Sequence, residues 1–307
     1  MKYKHLVVVD PIHGIEESIH ERISTISEKL TAYDTYSLDE DELINRISDA
    51  DAILVHFKTK VTSRVVDECQ NLKYIGLVAT SHTSINVKNT SRDVVVSNIP
   101  SYGDEAPSEW IFLQLLRMAR GYADVVWHPE SRELHGMTIG IIGLGIVGKF
   151  VANAALGFGM HVLYYSKTRK QEWESKGLVY SNKEDLLQRS DVISLHTPRD
   201  VKILSANDFD IMNGKVLVNT TLGEAFNKED FLTWIKKENN FAIMDGGVSE
   251  NYHKTFLKEP KALMFKEISG KTLESQIRLQ NQVVANLQAF LTGKPINIVS
   301  LVKMNEC

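Results

Sequence analysis

The passage that most constrains the fold is TIGIIGLGIVGKFVANAALG, residues 138–157, where a β-branched run ends at Gly143 and a glycine-spaced turn opens a helical pattern. Glycines at 143, 145 and 148 suit three separate demands. The first permits a tight turn, the second lets backbone approach a ligand, and the third lets the helix pack closely on the strand. Backbone N–H groups and the positive end of a helix dipole then favour an anion such as a pyrophosphate. A glycine-rich turn is common by itself. Here strand, turn, helix and a second strand, HVLYYS (161–166), follow in register. A dinucleotide loop made of Gly143, Gly145, Ile146, Val147 and Gly148 is therefore the stronger reading over a purely structural turn.

The rest of the chain repeats that alternation. LVVVD (6–10), DAILVHF (51–57), YIGLVAT (74–80) and VVVSN (94–98) come before it, and DVISLH (191–196), VLVNTT (216–221), FAIMDGG (241–247) and ALMFKEIS (262–269) come after. Polar segments with apolar residues at helical spacing lie between, which predicts parallel sheets covered on both faces. A length of 307 residues exceeds one ordinary core, so the expected fold is α/β with two doubly wound domains. The break falls in NIPSYGDEAPSE (98–109), and Pro107 then opens a helix to Arg120 that is apolar nearly all round. Such a helix is expected to be buried between domains or subunits. Asn182, Ser205 and Asn227, each followed by acids, mark helix starts, and Gly293 with Pro295 stops a last helix over 272–291.

Composition excludes several classes. The net charge is −4 with both signs interspersed, so nucleic acid is not an expected partner. Cys69 and Cys307 are the only cysteines and lack any CxxC or Cys/His spacing, which argues against a disulfide framework and against a metal site. No apolar run approaches the ~18 residues of a membrane span, and MKYKHLVVVDPIHG reads as a first strand, not a signal peptide. The expectation is a cytoplasmic protein with a small-molecule substrate and no membrane partner.

The end of HVLYYS refines the nucleotide. An NAD site presents a carboxylate to the ribose hydroxyls there. This chain has Ser166, 23 positions after Gly143, followed by Lys167, Thr168 and Arg169. Hydroxyl and cationic donors suit a 2′-phosphate, so NADP(H) is expected in preference to NAD(H), with NAD(H) still possible. The competing reading is a solvated basic loop.

Taken together, GLVATSHTSINV (76–87), SEWIFLQLLRMAR (108–120), LHGMTIGIIGLGIVGKFVA (134–152), SDVISLHTP (190–198), KVLVNTTLGEAF (215–226) and AIMDGGVSE (242–250) resemble the D-isomer-specific 2-hydroxyacid dehydrogenase family over nearly the whole chain. The resemblance implies a Rossmann dinucleotide-binding domain (105–278) inserted in a flavodoxin-like substrate domain (1–104 plus 279–307). It also implies a homodimer formed through helix 107–120. Thr80 and Ser81 would bind substrate through backbone N–H groups. His196, Thr197, Pro198, Thr220, Thr221 and Asp245 would line the nicotinamide side, with Asp245 meeting the nicotinamide amide.

The family's catalytic trio is an Arg, a Glu and a His. Glu250 matches the Glu, but Leu222 stands where the Arg belongs and Glu267 where the His belongs, or Lys266 if the alignment there slips by a residue. A forked, charge-assisted hydrogen bond from Arg to a substrate carboxylate contributes about 1.5–3 kcal/mol; leucine offers apolar contact only. Glu267 near Glu250 would set two carboxylates together, raising one pKa and letting the pair share a proton. His82, beside the substrate loop, and His56, at a strand end, are further candidates for proton donation and substrate contact, with a plain surface role still open for both. The expected activity is therefore NAD(P)-dependent reduction of an altered, non-carboxylate substrate such as a ketone or imine. The alternative is a catalytically silent relative that binds dinucleotide as a sensor or scaffold.

Overall fold

The computed structural model describes residues 1–12 and 17–301. The chain divides into two compact units, Met1–Tyr102 with Leu273–Cys307, and Gly103–Thr272. The boundaries drawn above at 104/105 and 278/279 thus move to 102/103 and 272/273, because the whole of helix Leu273–Leu291 goes with the first unit.

The first unit holds a six-stranded sheet in the order Ile298–Leu301, Val95–Ser97, Tyr74–Leu77, Ala52–Val55, Tyr3–Val8, Ser27–Ala32. All neighbours are parallel except Ile298–Leu301 with Val95–Ser97. The inner strands read as continuous apolar runs because both faces are covered. Leu279, Val283, Val284 and Leu287 of the last helix share one core with Tyr3, Leu6, Leu54 and Tyr74. The Tyr3 hydroxyl, which must find a partner when buried, donates to the Leu287 carbonyl at 2.8 Å. Strand Ser27–Ala32 was not legible as SEKLTA, because an edge strand with a mostly exposed pattern carries no apolar run.

The second unit holds seven parallel strands in the order Val179–Tyr180, His161–Tyr165, Thr138–Ile142, Val192–Leu195, Val216–Asn219, Phe241–Met244, Ala262–Met264. Alternate residues of one strand feed two cores: Val216 and Val218 enter one cluster and Leu217 the other. That is the period-two alternation of a sheet covered on both faces, and it makes the fold the expected α/β class. The helix starts are capped as their residues predict. Asn182 accepts from the Asp185 N–H at 2.9 Å and Asn227 from that of Glu229 at 2.9 Å, while Ser205 and Asp208 form a reciprocal capping box.

Helix Ala106–Ala119 sends Ile111, Phe112, Leu115 and Met118 into the core of its own unit and leaves Leu113 53% exposed. It packs into the second unit's core with Leu113 on its outer side. Cys69 is buried and free, and Cys307 lies outside the described residues. Among the described residues no helix is long and apolar enough to cross a membrane.

Candidate active site

Strand Thr138–Ile142 delivers Gly143 at φ +100°, where a Cβ would lie 2.3 Å from the His196 carbonyl oxygen. Gly148, in helix Ile146–Gly157, brings the helix so close to the strand that a Cβ would lie 2.2 Å from the Gly143 carbonyl oxygen. The protein's own backbone thus requires both glycines. Gly145 differs: it caps the helix, and a Cβ there would meet nothing within 4 Å. Its backbone, with exposed Ile146 and half-buried Val147, opens where the unpaired N–H groups of a helix's first turn gather.

His196 follows strand Val192–Leu195, and its N–H joins the Ile142 carbonyl at 2.8 Å. Its ring Nε2 meets the Ser194 hydroxyl at 2.8 Å, and burial pulls the imidazole pKa down to about 4. The ring is neutral near pH 7, a wall and not a proton donor. Beside it, Thr197 Oγ1 and Asn219 Nδ2 are buried without a hydrogen-bond partner among the described residues. Asn219 also accepts at Oδ1 from the Thr221 N–H (3.0 Å) and hydroxyl (2.6 Å). Thr220 is half-buried and Pro198 exposed. Orphaned polar atoms at two neighbouring strand ends are what a bound polar ligand satisfies. Asn219 escaped the sequence reading because an Asn closing a strand looks like any turn former.

At the end of strand His161–Tyr165, Ser166 is half-buried while Lys167 and Thr168 are exposed. Arg169 is not the available cation expected of it. Its guanidinium forms a fork to Glu174 at 2.8 and 2.6 Å and lies 5.4 Å from the Tyr180 ring centre. That pairing, with the Tyr164 hydroxyl, holds the Glu174 carboxyl at about 2. Sequence could not reveal the partner, five residues on around a turn.

The expected carboxylate pair is not built. Glu250 opens helix Glu250–Phe256 with its side chain 80% exposed and paired to Lys254 Nζ at 2.7 Å, which lowers its pKa. Glu267 is held by its backbone, its carbonyl accepting the Gly246 N–H at 2.8 Å, and is exposed. A carboxylate with its own lysine in water has no reason to share a proton. Asp245 is likewise engaged by its own neighbours. It is buried, and its carboxylate accepts from the Ser269 N–H (2.8 Å), the Ser269 hydroxyl (2.6 Å) and the Gly247 N–H (3.0 Å). It ties the 267–269 turn to its strand end instead of standing open for an amide, and burial raises its pKa. Leu222 is 41% exposed and lies against Gly247, where a Cβ would stand 3.0 Å from Leu222 Cδ2. The segment after Pro198 runs alongside, the Asp200 N–H reaching the Leu222 carbonyl at 3.3 Å.

In the first unit, the Thr80 carbonyl accepts from Asn98 Nδ2 at 2.6 Å and the Ser81 hydroxyl meets that of Thr83 at 3.2 Å. His82 is an exposed turn residue whose carbonyl takes the Ile85 N–H at 3.1 Å; nothing about it sets up proton donation. His56 is half-buried: its N–H donates to Asp10 Oδ2 at 2.9 Å and its Nδ1 lies 3.3 Å from the Tyr36 hydroxyl. Neither Asp10 nor Tyr36 carried a sequence signal.

The open backbone at Gly145, the first-turn N–H groups and the orphaned Thr197 and Asn219 atoms together fit a nicotinamide dinucleotide. Comparison with known proteins agrees. Residues 114–266 match the family model described as D-isomer specific 2-hydroxyacid dehydrogenase, NAD binding domain. The chain is 30% identical over 294 residues to a hydroxypyruvate reductase of Blautia hydrogenotrophica, covering 87% of this chain and 91% of that protein. It is 29% identical over 285 residues to a glyoxylate reductase of Thermococcus litoralis, covering 84% and 86%. Among solved structures, an acyclic imino acid reductase in complex with NADPH and D-Arg shares the fold at a TM-score of 0.81 and 24% identity, covering 96% of this chain and 100% of that one. On this sequence, fold and relatedness, the chain belongs to the D-isomer-specific 2-hydroxyacid dehydrogenase family and is an NAD(P)-dependent oxidoreductase.

Proposed function

We propose that this protein is an NADP(H)-preferring reductase whose substrate presents a neutral or cationic reacting end, a ketone or an imine, in place of a small 2-keto acid. The observation that carries this reading is Leu222, an aliphatic side chain lying on Gly247 where the family places the arginine that grips a carboxylate. Bound nicotinamide dinucleotide gives or takes the hydride. The chain's own residues hold it. Backbone at Gly145, Ile146 and Val147 receives the pyrophosphate, Ser166, Lys167 and Thr168 meet the adenosine ribose, and Thr197 and Asn219 give their unpaired atoms to the nicotinamide side. Neutral His196 walls that side without competing for a proton. Thr80 and Ser81 are proposed to bind substrate through their backbone N–H groups.

Two measurements test the reading. NADPH should bind more tightly than NADH, and Ser166→Asp should reverse that order by placing a carboxylate on the ribose site; tighter NADH binding by the unaltered protein defeats the preference. Consumption of NADPH should be faster with neutral ketones or imines than with glyoxylate, pyruvate or hydroxypyruvate, and the opposite ranking defeats the substrate class. The exposed Glu250–Lys254 pair favours a second reading, a dinucleotide-binding sensor without turnover. Tight NADPH binding with no turnover on any compound selects it. We place the protein in the cytoplasm as a homodimer that covers Leu113, Tyr122 and Val126, which are 53%, 78% and 69% exposed. A monomeric mass in solution removes the dimer.

A further inference from the structure

Substrate choice in the reading above turns on one aliphatic side chain carried by a turn. A side chain there selects substrate only if the backbone beneath it is held. Leu222 lies past strand Val216–Asn219, where the ladder to Phe241–Met244 has ended at the pair Asn219 and Met244.

The turn is held from two sides, both within the second unit. On one side it is joined to the turn after strand Phe241–Met244. The Gly223 N–H donates to the Gly247 carbonyl at 3.2 Å, and the Ser249 N–H donates to the Gly223 carbonyl at 3.1 Å. The Glu224 carboxylate extends that seam, accepting from the Ser249 hydroxyl at 3.2 Å and from Asn251 Nδ2 at 3.1 Å, with Lys202 Nζ at 3.7 Å. On the other side stands Asp200. Its N–H reaches the Leu222 carbonyl at 3.3 Å, and its Oδ1 accepts the Glu224 N–H at 3.0 Å. One residue thus takes a group from each of the two peptides flanking Gly223.

Both residue types are demanded by the backbone. Gly223 has φ +83°, and a Cβ there would lie 1.9 Å from Asp200 Oδ1. The carboxylate fills the space that a side chain at 223 would need. Asp200 has φ +57°, a left-handed conformation that Asp and Asn adopt more readily than other non-glycine residues because their short side chains bond locally. Further along, the Ile203 N–H meets the Ala225 carbonyl at 2.7 Å, so segment 200–203 runs beside 222–225 with Asp200 opposite Leu222. The Leu222 side chain stays outside these bonds, 41% exposed and lying on Gly247.

We propose that Asp200 is a positioning residue for substrate selection: its hold on the peptides around Gly223 fixes Leu222 against Gly247 and so makes residue 222 a discriminating surface. The inference rests on the reductase reading. It asks Asp200 for an acceptor oxygen and a left-handed backbone, and not for its charge or for a proton.

The test uses full-length protein, NADPH, the ketone or imine that turns over fastest, and hydroxypyruvate. Asp200→Gly permits the positive φ and removes the acceptor, whereas Asp200→Asn keeps an acceptor oxygen and the left-handed preference without the charge. Loss of one net hydrogen bond corresponds to about 2- to 12-fold in an equilibrium. Asp200→Gly should accelerate amide exchange at Glu224 by about that factor and narrow the kcat/KM preference over hydroxypyruvate about threefold or more, chiefly through KM. NADPH affinity should stay within about twofold, and Asp200→Asn should restore the preference to within about twofold. In a Leu222→Ala background Asp200→Gly should change the preference by less than about twofold, since the side chain being positioned is gone. A merely structural role would lower Tm in both backgrounds and leave KM and the preference unmoved. An unchanged preference in Asp200→Gly, an Asn variant as altered as the Gly variant, or a full effect persisting in Leu222→Ala would overturn this inference and leave the reductase reading standing. Absence of turnover by the unaltered protein overturns both.

Discussion

Asp245 and Ser269, 24 positions apart, are joined at the second unit's strand ends: one carboxylate oxygen takes both the backbone N–H (2.8 Å) and the hydroxyl (2.6 Å) of Ser269. The turn bearing Glu267 is thus held in part by a buried carboxyl group. Asp245→Ala removes the acceptor for Ser269 and for the Gly247 N–H. Each buried donor left unsatisfied costs about 1–3 kcal/mol, partly offset by relief of a buried charge. The expected loss is roughly 3 kcal/mol, with amide exchange in 266–270 accelerated more than in the strand core. Equal protection of that turn in the variant would show that the junction does not hold it.

The three glycines of the nucleotide loop should separate into two classes. Gly148→Ala drives a Cβ into the Gly143 carbonyl oxygen, and Gly143→Ala drives one into that of His196 at a positive φ. Overpacking of this kind costs about 1–3 kcal/mol, visible as a lower Tm without any nucleotide. Gly145→Ala meets open space and should change stability by less than about 0.5 kcal/mol. It should still weaken NADPH binding about tenfold or more by narrowing the approach of the phosphate. A Gly145→Ala protein with full affinity would move the pyrophosphate elsewhere.

Restoring the family's cations should restore its substrate. Leu222→Arg with Glu267→His supplies a carboxylate clamp and an imidazole, and a charge-assisted bond of about 1.5–3 kcal/mol corresponds to about 10- to 150-fold. The double variant should raise kcat/KM for glyoxylate or hydroxypyruvate by at least tenfold over the unaltered protein. No gain in a variant that still binds NADPH would mean that residue 222 does not face the substrate.

His196 predicts an acid-side instability. Its pKa is about 4 in the folded chain against an ordinary 6.5, so unfolded chains take up its proton first as pH falls. Stability is full above about 6.5, declines as the pH drops toward about 4 and levels off below, for a total of about 3 kcal/mol. His196→Gln removes that proton uptake. Its Tm should fall less between pH 7 and about 4.5 than that of the unaltered protein, and parallel curves would place the acid sensitivity in another group.

Patterns that depend on near neighbours were legible without coordinates. The β-branched runs, the glycine spacing at 143, 145 and 148, and the caps at Asn182, Ser205 and Asn227 all reflect backbone conformation and periodic burial. These are set by side-chain shape and hydrogen bonding within a few residues. The edge strand Ser27–Ala32 was missed for the complementary reason, since half-solvated edges need no apolar alternation.

Partner choice belongs to the tertiary structure. Arg169 is a cation on a nucleotide loop in the sequence, and in the fold it is neutralised by Glu174. Glu250 looks like half of a proton-sharing pair, and Lys254, one helical turn on, keeps it ionised. Asp245 looks open to a ligand and instead holds Ser269, and the His56 N–H is held by Asp10, 46 positions away. The sequence by itself determined the family, the two largely parallel sheets and the dinucleotide loop. Which charges remain available for chemistry was decided only by folding. A charged group's state depends on what lies within a few ångströms of it, and chain order does not specify that neighbour.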